Sequence, residues 1–357
     1  MTIENALRAL VEDKVRQQQF SGAMLIRHGG QDLVRDAYGW AHRPWSVANQ
    51  VDTRFRLASI GKLFTAVAVL QLVEQKMLSL HSSVIETLGL QNTTIPAKAT
   101  VFHMLTMTSG IADWFDEDAP DWAAAWDALC REYPIYLFRH NRDYLSLFQN
   151  ETPLRPVGVK HQYNGAGYIL LGLLIERLSG MDYFDYVRRN VFERAGMSRS
   201  GFFALDGVDP EVAEGYIPLT DDKGQVIGWK KNIYSTTVEA AADGGATSTL
   251  DDLSRFLSAL RNGQLLSPEL TEKISSPHVV QFEGKQRGYQ WRYGFGNMFL
   301  LDDDDRIVRW GHTGEEDGVS CRVYYYPLQD LELVVLGNQS WCSGELVWDI
   351  HDLIFRE

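Results

Sequence analysis

Residues 55–73 read FRLASIGKLFTAVAVLQLV, and this stretch decides how the rest of the chain is to be read. After Gly61 there is neither glycine nor proline to interrupt it, and Leu63, Ala66, Val67, Leu70 and Val73 recur at helical spacing. The pattern predicts a buried helix from Ser59 to about Leu78. At its start Ser59 and Lys62 stand three residues apart, so both side chains project from one face and can touch. A serine hydroxyl is a weak nucleophile until a base takes its proton, and a desolvated lysine can be that base. The helix N-terminus adds oriented N–H donors beside a developing oxyanion. Taken alone the tetrad is weak, because a capping serine followed by a solvated lysine explains it equally well.

Upstream, Ala6, Leu7, Leu10, Val11 and Val15 line one side of an amphipathic opening helix over residues 5–18. Ser21 to Ile26 and Asp32 to Trp40 read as strands joined through His28-Gly29-Gly30, a hairpin. Downstream, helical periodicity runs through Val101–Thr108, Trp122–Glu132, Ala166–Ser179 and Tyr183–Glu193, and again through Leu250–Leu260 up to the stop Asn262-Gly263. Strand-like runs then return at Tyr293–Leu301, Arg306–His312, Ser320–Tyr326 and Leu331–Asn338. Their connections are Asp302–Asp305, Thr313–Val319 and Pro327–Asp330, and a helix at Glu345–Phe355 closes the chain. The expected fold is therefore α/β (α+β): an antiparallel sheet formed by both chain ends and flanked by helices, with a mostly helical lobe inserted. The sheet lobe takes 1–80 and 235–357, the helical lobe 81–234, and the cleft between them is the expected active site.

Composition narrows the function. With 45% hydrophobic and 23% charged residues the chain is an ordinary soluble globular protein, and a formal charge of −13 disfavours nucleic acid and anionic membranes as partners. Cys130, Cys321 and Cys342 lack metal-ligand spacing, the histidines are scattered, and no phosphate-binding glycine loop occurs. No metal and no organic cofactor is expected. Glu4, Glu12 and Asp13 interrupt what would be the apolar core of a signal peptide, and runs such as Phe64–Leu70 fall short of a membrane span. The expectation is a cytoplasmic protein, unless a leader has been trimmed, acting on a small molecule or peptide; its oligomeric state is open.

Several stretches beyond the tetrad carry a resemblance. Phe55–Ala66, Leu105-Thr106-Met107-Thr108-Ser109-Gly110-Ile111, Tyr163–Gly172, Gly244–Leu260 and Gly311-His312-Thr313-Gly314 are similar, in this order and at comparable separations, to motifs of the serine β-lactamases and penicillin-binding proteins. The branch they resemble holds class C β-lactamases, esterases and D-aminopeptidases. The resemblance spans residues 20 to 340 and implies the two-lobe fold reached above.

It also implies roles. Ser59 would attack a carbonyl and form an acyl-enzyme, Lys62 would be its base, and Tyr163 the second proton handler, as a phenol or as a phenolate favoured by the lysine's charge. His312, Thr313 and Gly314 would line the far wall, with the backbone N–H groups of Ser59 and Glu315 as oxyanion donors. His312 stands where many relatives carry lysine, and a neutral imidazole holds a substrate carboxylate weakly. Gly165 departs from the family's Tyr-x-Asn, whose amide contacts the lysine and the substrate carbonyl; Asn164 is adjacent but need not point the same way. Glu315, Glu316 and Asp317 read as a solvated acidic turn at the cleft mouth, and Trp114, Trp122 and Trp126 as core aromatics or as a pocket for an apolar acyl group. The leading expectation is a serine hydrolase of an ester, D-amino-acid amide or peptide, or β-lactam. Beside it stand a true β-lactamase or DD-peptidase, and a non-catalytic binder of a peptidoglycan fragment or protein partner.

Overall fold

A computed structural model describes residues 2–117 and 120–355. Its centre is an eight-stranded antiparallel sheet. In chain order the strands are β1 (Gly22–His28), β2 (Gln31–Tyr38), β3 (Val279–Gln286), β4 (Tyr289–Tyr293), β5 (Met298–Leu301), β6 (Ile307–Glu316), β7 (Val319–Tyr326) and β8 (Leu331–Gly337). In space they run β2-β1-β8-β7-β6-β5-β4-β3. The N-terminal hairpin therefore joins the C-terminal meander through β1 and β8, in register from Gly22 opposite Gly337 to His28 opposite Leu331. Pairing of the two chain ends, expected from the sequence, is present.

The period-2 alternation of these strands feeds two cores. Met24, Ile26, Leu333 and Val335 point to one face, where helices α1 (Ile3–Arg16) and, at the chain's end, Gly344–Phe355 bring Leu7, Val11, Leu346 and Ile350. Ala23, Leu25, Val334 and Leu336 point to the other, larger core. Each fully buried Leu, Ile or Val contributes about 1.5–3 kcal/mol of transfer free energy, and β8, apolar except for Glu332, is buried along its whole length.

The helix that follows Ser59, α2 (Gly61–Glu74), runs through that larger core with every residue from Gly61 to Leu72 buried. A helix buried all round must satisfy its polar groups internally. Thr65 does so with Tyr183 (2.7 Å) and the carbonyl of Ala242 (2.5 Å), and Gln71 with the carbonyls of Asn190 and Leu265. The helix ends earlier than its periodicity suggested, because Lys76 turns into the left-handed region at φ 59°. The long helix α3 (Gly165–Ser179) packs directly on α2. Among the described residues between 81 and 234 the regular structure is helical except for one hairpin, Tyr216–Thr220 with Val226–Lys231, and the helices are separated by long irregular segments.

Three strand readings are corrected. The run Tyr293–Leu301 is broken by a corner, Gly294–Asn297, between the end of β4 and β5, closed by Gly294 N–H donating to the Asn297 carbonyl with Gly296 at φ 69°. The hairpin β3–β4 lay hidden in the polar sequence around Glu283–Gly288. And β6 does not stop at His312 but continues through Thr313–Glu316, paired with β7 up to Glu316 opposite Val319. Polarity disguised that extension; ion pairs, described next, accommodate it. Among the described residues no helix is long and apolar enough to cross a membrane.

Candidate active site

The segment bearing Ser59 is held by strain and close packing. Phe55–Arg56 pairs with Thr247–Ser248, Leu57 N–H donates to the Ala246 carbonyl (2.8 Å), and Gly245 N–H donates to that of Ala58 (3.1 Å). Ala58 itself sits in the left-handed region at φ 46°, a conformation that costs a non-glycine residue about 1–3 kcal/mol and persists only where its surroundings enforce it. A short 3-10 turn, Ala58–Ile60, then leads into α2. Strand β6 lies so close over this turn that a Cβ on Gly314 would stand 2.0 Å from the Leu57 carbonyl oxygen.

Lys62 is 1% exposed. Its Nζ donates to Ser59 Oγ at 3.0 Å and to the Asp243 carbonyl at 2.6 Å, and lies 4.9 Å from the centre of the Tyr163 ring. The first distance is within reach of direct proton transfer. The pair the sequence placed on one helix face is in contact.

Tyr163 reaches the site from just before α3. Burial holds its hydroxyl well above the usual phenol range, and the nearby charges of Glu117, Asp243 and Asp113 push the same way, against the hydrogen bond with Ser59. Of the two forms open from the sequence, the electrostatics favour the neutral phenol. Asp113 accepts from the backbone N–H groups of Trp114, Gly165 and Ala166, all at 2.8 Å, and burial raises its carboxyl to about 7 against those bonds.

Asn164 does not reach the substrate side. It caps α3, its Oδ1 accepting from Gly167 N–H (2.8 Å) and its Nδ2 donating to the Ile111 carbonyl (3.2 Å), and it is 4% exposed. His312 is also withdrawn from the cleft. Its ring is wholly buried, with Nε2 at 3.2 Å from the Tyr293 hydroxyl and Nδ1 at 2.5 Å from the Thr313 carbonyl. Burial, with Lys62 adding to it, depresses its pKa to about 3, so it is a neutral member of the wall. Thr313, Glu315 and Glu316 of β6 line the cleft, while His312 and Gly314 do not.

The acidic residues that follow are paired. Glu315 binds Arg322 (2.5 Å) and Ser320 (2.8 Å); Glu316 binds Arg56 (2.5 Å) and Thr236 (2.9 Å). Arg56 also donates to the Thr237 carbonyl at 2.9 Å, tying the loop around 237 to the Ser59 segment. Of the solvated turn expected at 315–317, Glu315 and Glu316 are instead the end of β6 bound to buried arginines, and Asp317 lies in the turn that follows.

Above Ser59 opens a cavity of about 600 Å³. One wall is aromatic, with Trp114, Phe115, Trp122 and Trp126, the last two stacked 5.7 Å apart at 3°. These rings serve both readings given for them: Trp126 is 5% exposed and packs in the core, yet all four line the cavity. Arg155 and Lys160 supply cations to the lining. Among the described residues no group of His, Cys, Asp and Glu is placed to hold a metal ion. Sequence reasoning missed Asp243, Arg56, Asp113 and the cations Arg155 and Lys160. For Asp243 a signal existed, its position directly before the Gly244-Gly245 pair that packs against Ala58.

His351 gives a test of the fold apart from the site. It is 2% exposed, 3.0 Å from the Tyr289 hydroxyl, and burial depresses its pKa to about 4, whereas an unfolded histidine titrates near 6.5. A depressed basic group leaves the unfolded chain binding more protons between those values, so its contribution to stability falls as pH drops through that window. A His351→Gln variant, compared with wild type by denaturant unfolding, should gain on it by about 1.4 kcal/mol for each pH unit between 6.5 and 4.

The family model described as Beta-lactamase matches residues 7–341, so the chain belongs to that family. Among curated relatives, esterase EstB of Burkholderia gladioli is 29% identical over 98% of this chain and 94% of its own length. Penicillin-binding protein 4* of Bacillus subtilis (strain 168) is 27% identical over 94% of this chain and 71% of its own. The crystal structure of a penicillin-binding protein from Bacillus halodurans superposes with a TM-score of 0.84 at 35% identity, covering 97% of this chain and 98% of that one.

Proposed function

We propose that this protein is a serine hydrolase that forms an acyl-enzyme at Ser59, acting on an ester or a D-amino-acid amide or peptide. The observation that carries the reading is the 3.0 Å contact between Lys62 Nζ and Ser59 Oγ, formed by a lysine almost wholly removed from water at the floor of an open cleft. As Oγ attacks the carbonyl carbon its proton passes to Lys62 Nζ, and the oxyanion meets the backbone N–H groups of Ser59 and Glu315. Tyr163, held as a phenol, donates a proton to the leaving group as the C–O or C–N bond breaks. Water then attacks the ester carbon, giving one proton to the Tyr163 oxygen, and Ser59 Oγ leaves with the proton held by Lys62, which restores all three groups. The aromatic wall favours an apolar substituent, since Phe and Trp side chains bury about 150–250 Å² each.

A second reading, a β-lactam or D-alanyl peptide bearing a carboxylate, is favoured by one observation: Arg155 and Lys160 in the cavity lining. Against it, position 312 offers no cation. Parallel hydrolysis of a p-nitrophenyl ester and a chromogenic cephalosporin ranks the two; a higher kcat/KM for the ester is expected.

The acyl-enzyme is tested directly. Incubation with a fluorophosphonate followed by mass spectrometry should place one adduct on Ser59, and none on the Ser59→Ala variant. Absence of the adduct together with absence of ester turnover would overturn the reading and leave a binding protein.

A further inference from the structure

Lys62 meets two acceptors, and the second needs explaining. The Asp243 carbonyl approaches to 2.6 Å from 181 residues further along the chain. The Asp243 carboxylate is engaged elsewhere, Oδ2 accepting from Trp114 Nε1 at 2.8 Å. Trp114 is fixed in turn, because its own backbone N–H donates to Asp113, the carboxylate that also binds the N–H groups of Gly165 and Ala166. A continuous chain of hydrogen bonds thus runs from the first turn of α3, through Asp113 and Trp114, to the residue whose carbonyl holds the lysine. Space tells the same story. A Cβ on Gly165 would stand 2.7 Å from both Asp243 Oδ2 and Trp114 Nε1, so the indole–carboxylate pair fills the volume into which any side chain at 165 would project.

We propose that Asp243, clamped by Trp114, is the positioning residue that aims Lys62 at Ser59, working from a separate loop in the space that Gly165 leaves open. Trp114 also lines the cavity, so the aromatic wall that meets substrate and the acceptor that orients the lysine share one hydrogen bond. The kinetic part of this inference rests on the reading of Ser59 and Lys62 given above; the packing part does not.

The test has two arms. In the first, the rate of Ser59 labelling by a fluorophosphonate is measured. Asp243→Ala and Trp114→Phe should each slow it about 10- to 100-fold, the scale on which small misplacements of a reacting group are felt. The double variant should be no slower than the slower single one, because both act through one carbonyl. Asp243→Asn, which keeps a side-chain oxygen for the indole where Asp243→Ala does not, should stay within about threefold of wild type. Wild-type labelling by Asp243→Ala, losses that multiply, or an Asn variant as slow as the Ala one each overturn the proposal.

The second arm needs no activity. Gly165→Ala should lower the thermal midpoint by about 3 °C in wild type and by less than half of that in the Asp243→Ala, Trp114→Phe double variant, which removes both atoms that the new Cβ would meet; equal losses in the two backgrounds overturn the proposal. If wild type itself is never labelled, the hydrolase reading fails, and this arm still decides whether Asp243 and Trp114 occupy the space of a side chain at 165.

Discussion

Lys62→Met is expected to lower kcat/KM for an activated ester by about 10⁴-fold, the upper end of what a positioned proton acceptor contributes. Methionine nearly matches lysine in volume and suits the apolar surroundings of α2, so the fold should survive the exchange. Two hydrogen bonds are lost, to Ser59 Oγ and to the Asp243 carbonyl. The second leaves a buried oxygen without its donor, at a cost of about 1–3 kcal/mol in stability. The activity loss, about 5.5 kcal/mol in barrier height, is larger than that and has another origin. Without an acceptor at 3.0 Å, Ser59 attacks as a neutral hydroxyl. Steady-state kinetics with a p-nitrophenyl ester, beside a thermal melt, separates the two effects. A variant that keeps its midpoint within a few degrees and its full kcat/KM would remove Lys62 from the chemistry.

Gly314→Ala should lower activity as well, by less than Lys62→Met, although it touches neither proton carrier. The added Cβ would meet the Leu57 carbonyl oxygen at 2.0 Å, backbone against side chain, with no flexible group to yield. Either β6 or the Leu57–Ile60 turn must move. The turn is already strained at Ala58 and held by its bonds to Gly245 and Ala246, so a shift there displaces Ser59 relative to Lys62. Overpacking of this kind costs about 1–3 kcal/mol in stability, and a displacement of about 1 Å costs about 100-fold in rate. Both kcat and stability should fall, in contrast to Lys62→Met, where kcat falls far more than stability. Retention of full activity would show that β6 is free to move away from Ser59.

Much of this was legible in the residues. The spacing of Ser59 and Lys62, the strand alternation at both ends of the chain, and the glycine-bounded helices are local patterns, readable because helical and strand periods repeat within a few residues. Less legible was what each polar residue does. Asn164 looked available to substrate and is a helix cap; His312 looked like a wall residue facing the cleft and lies under it; Glu315 and Glu316 looked solvated and are bound to Arg322 and Arg56. Polar residues are read from sequence as exposed by default, and only long-range pairing makes their burial affordable.

The sequence by itself determined the family, the sheet built from both termini, and a serine and lysine on one face of a helix, because these follow from motif order and from periods of two and 3.6 residues. Tertiary structure alone decided that the two side chains touch, that Tyr163 is held as a phenol among carboxylates, and that Asp243 and Trp114 close the space beside Gly165. Those outcomes depend on where residues 114, 163 and 243 meet Lys62 in space. Distances of that kind are set by the packing of whole elements, and no local pattern records them.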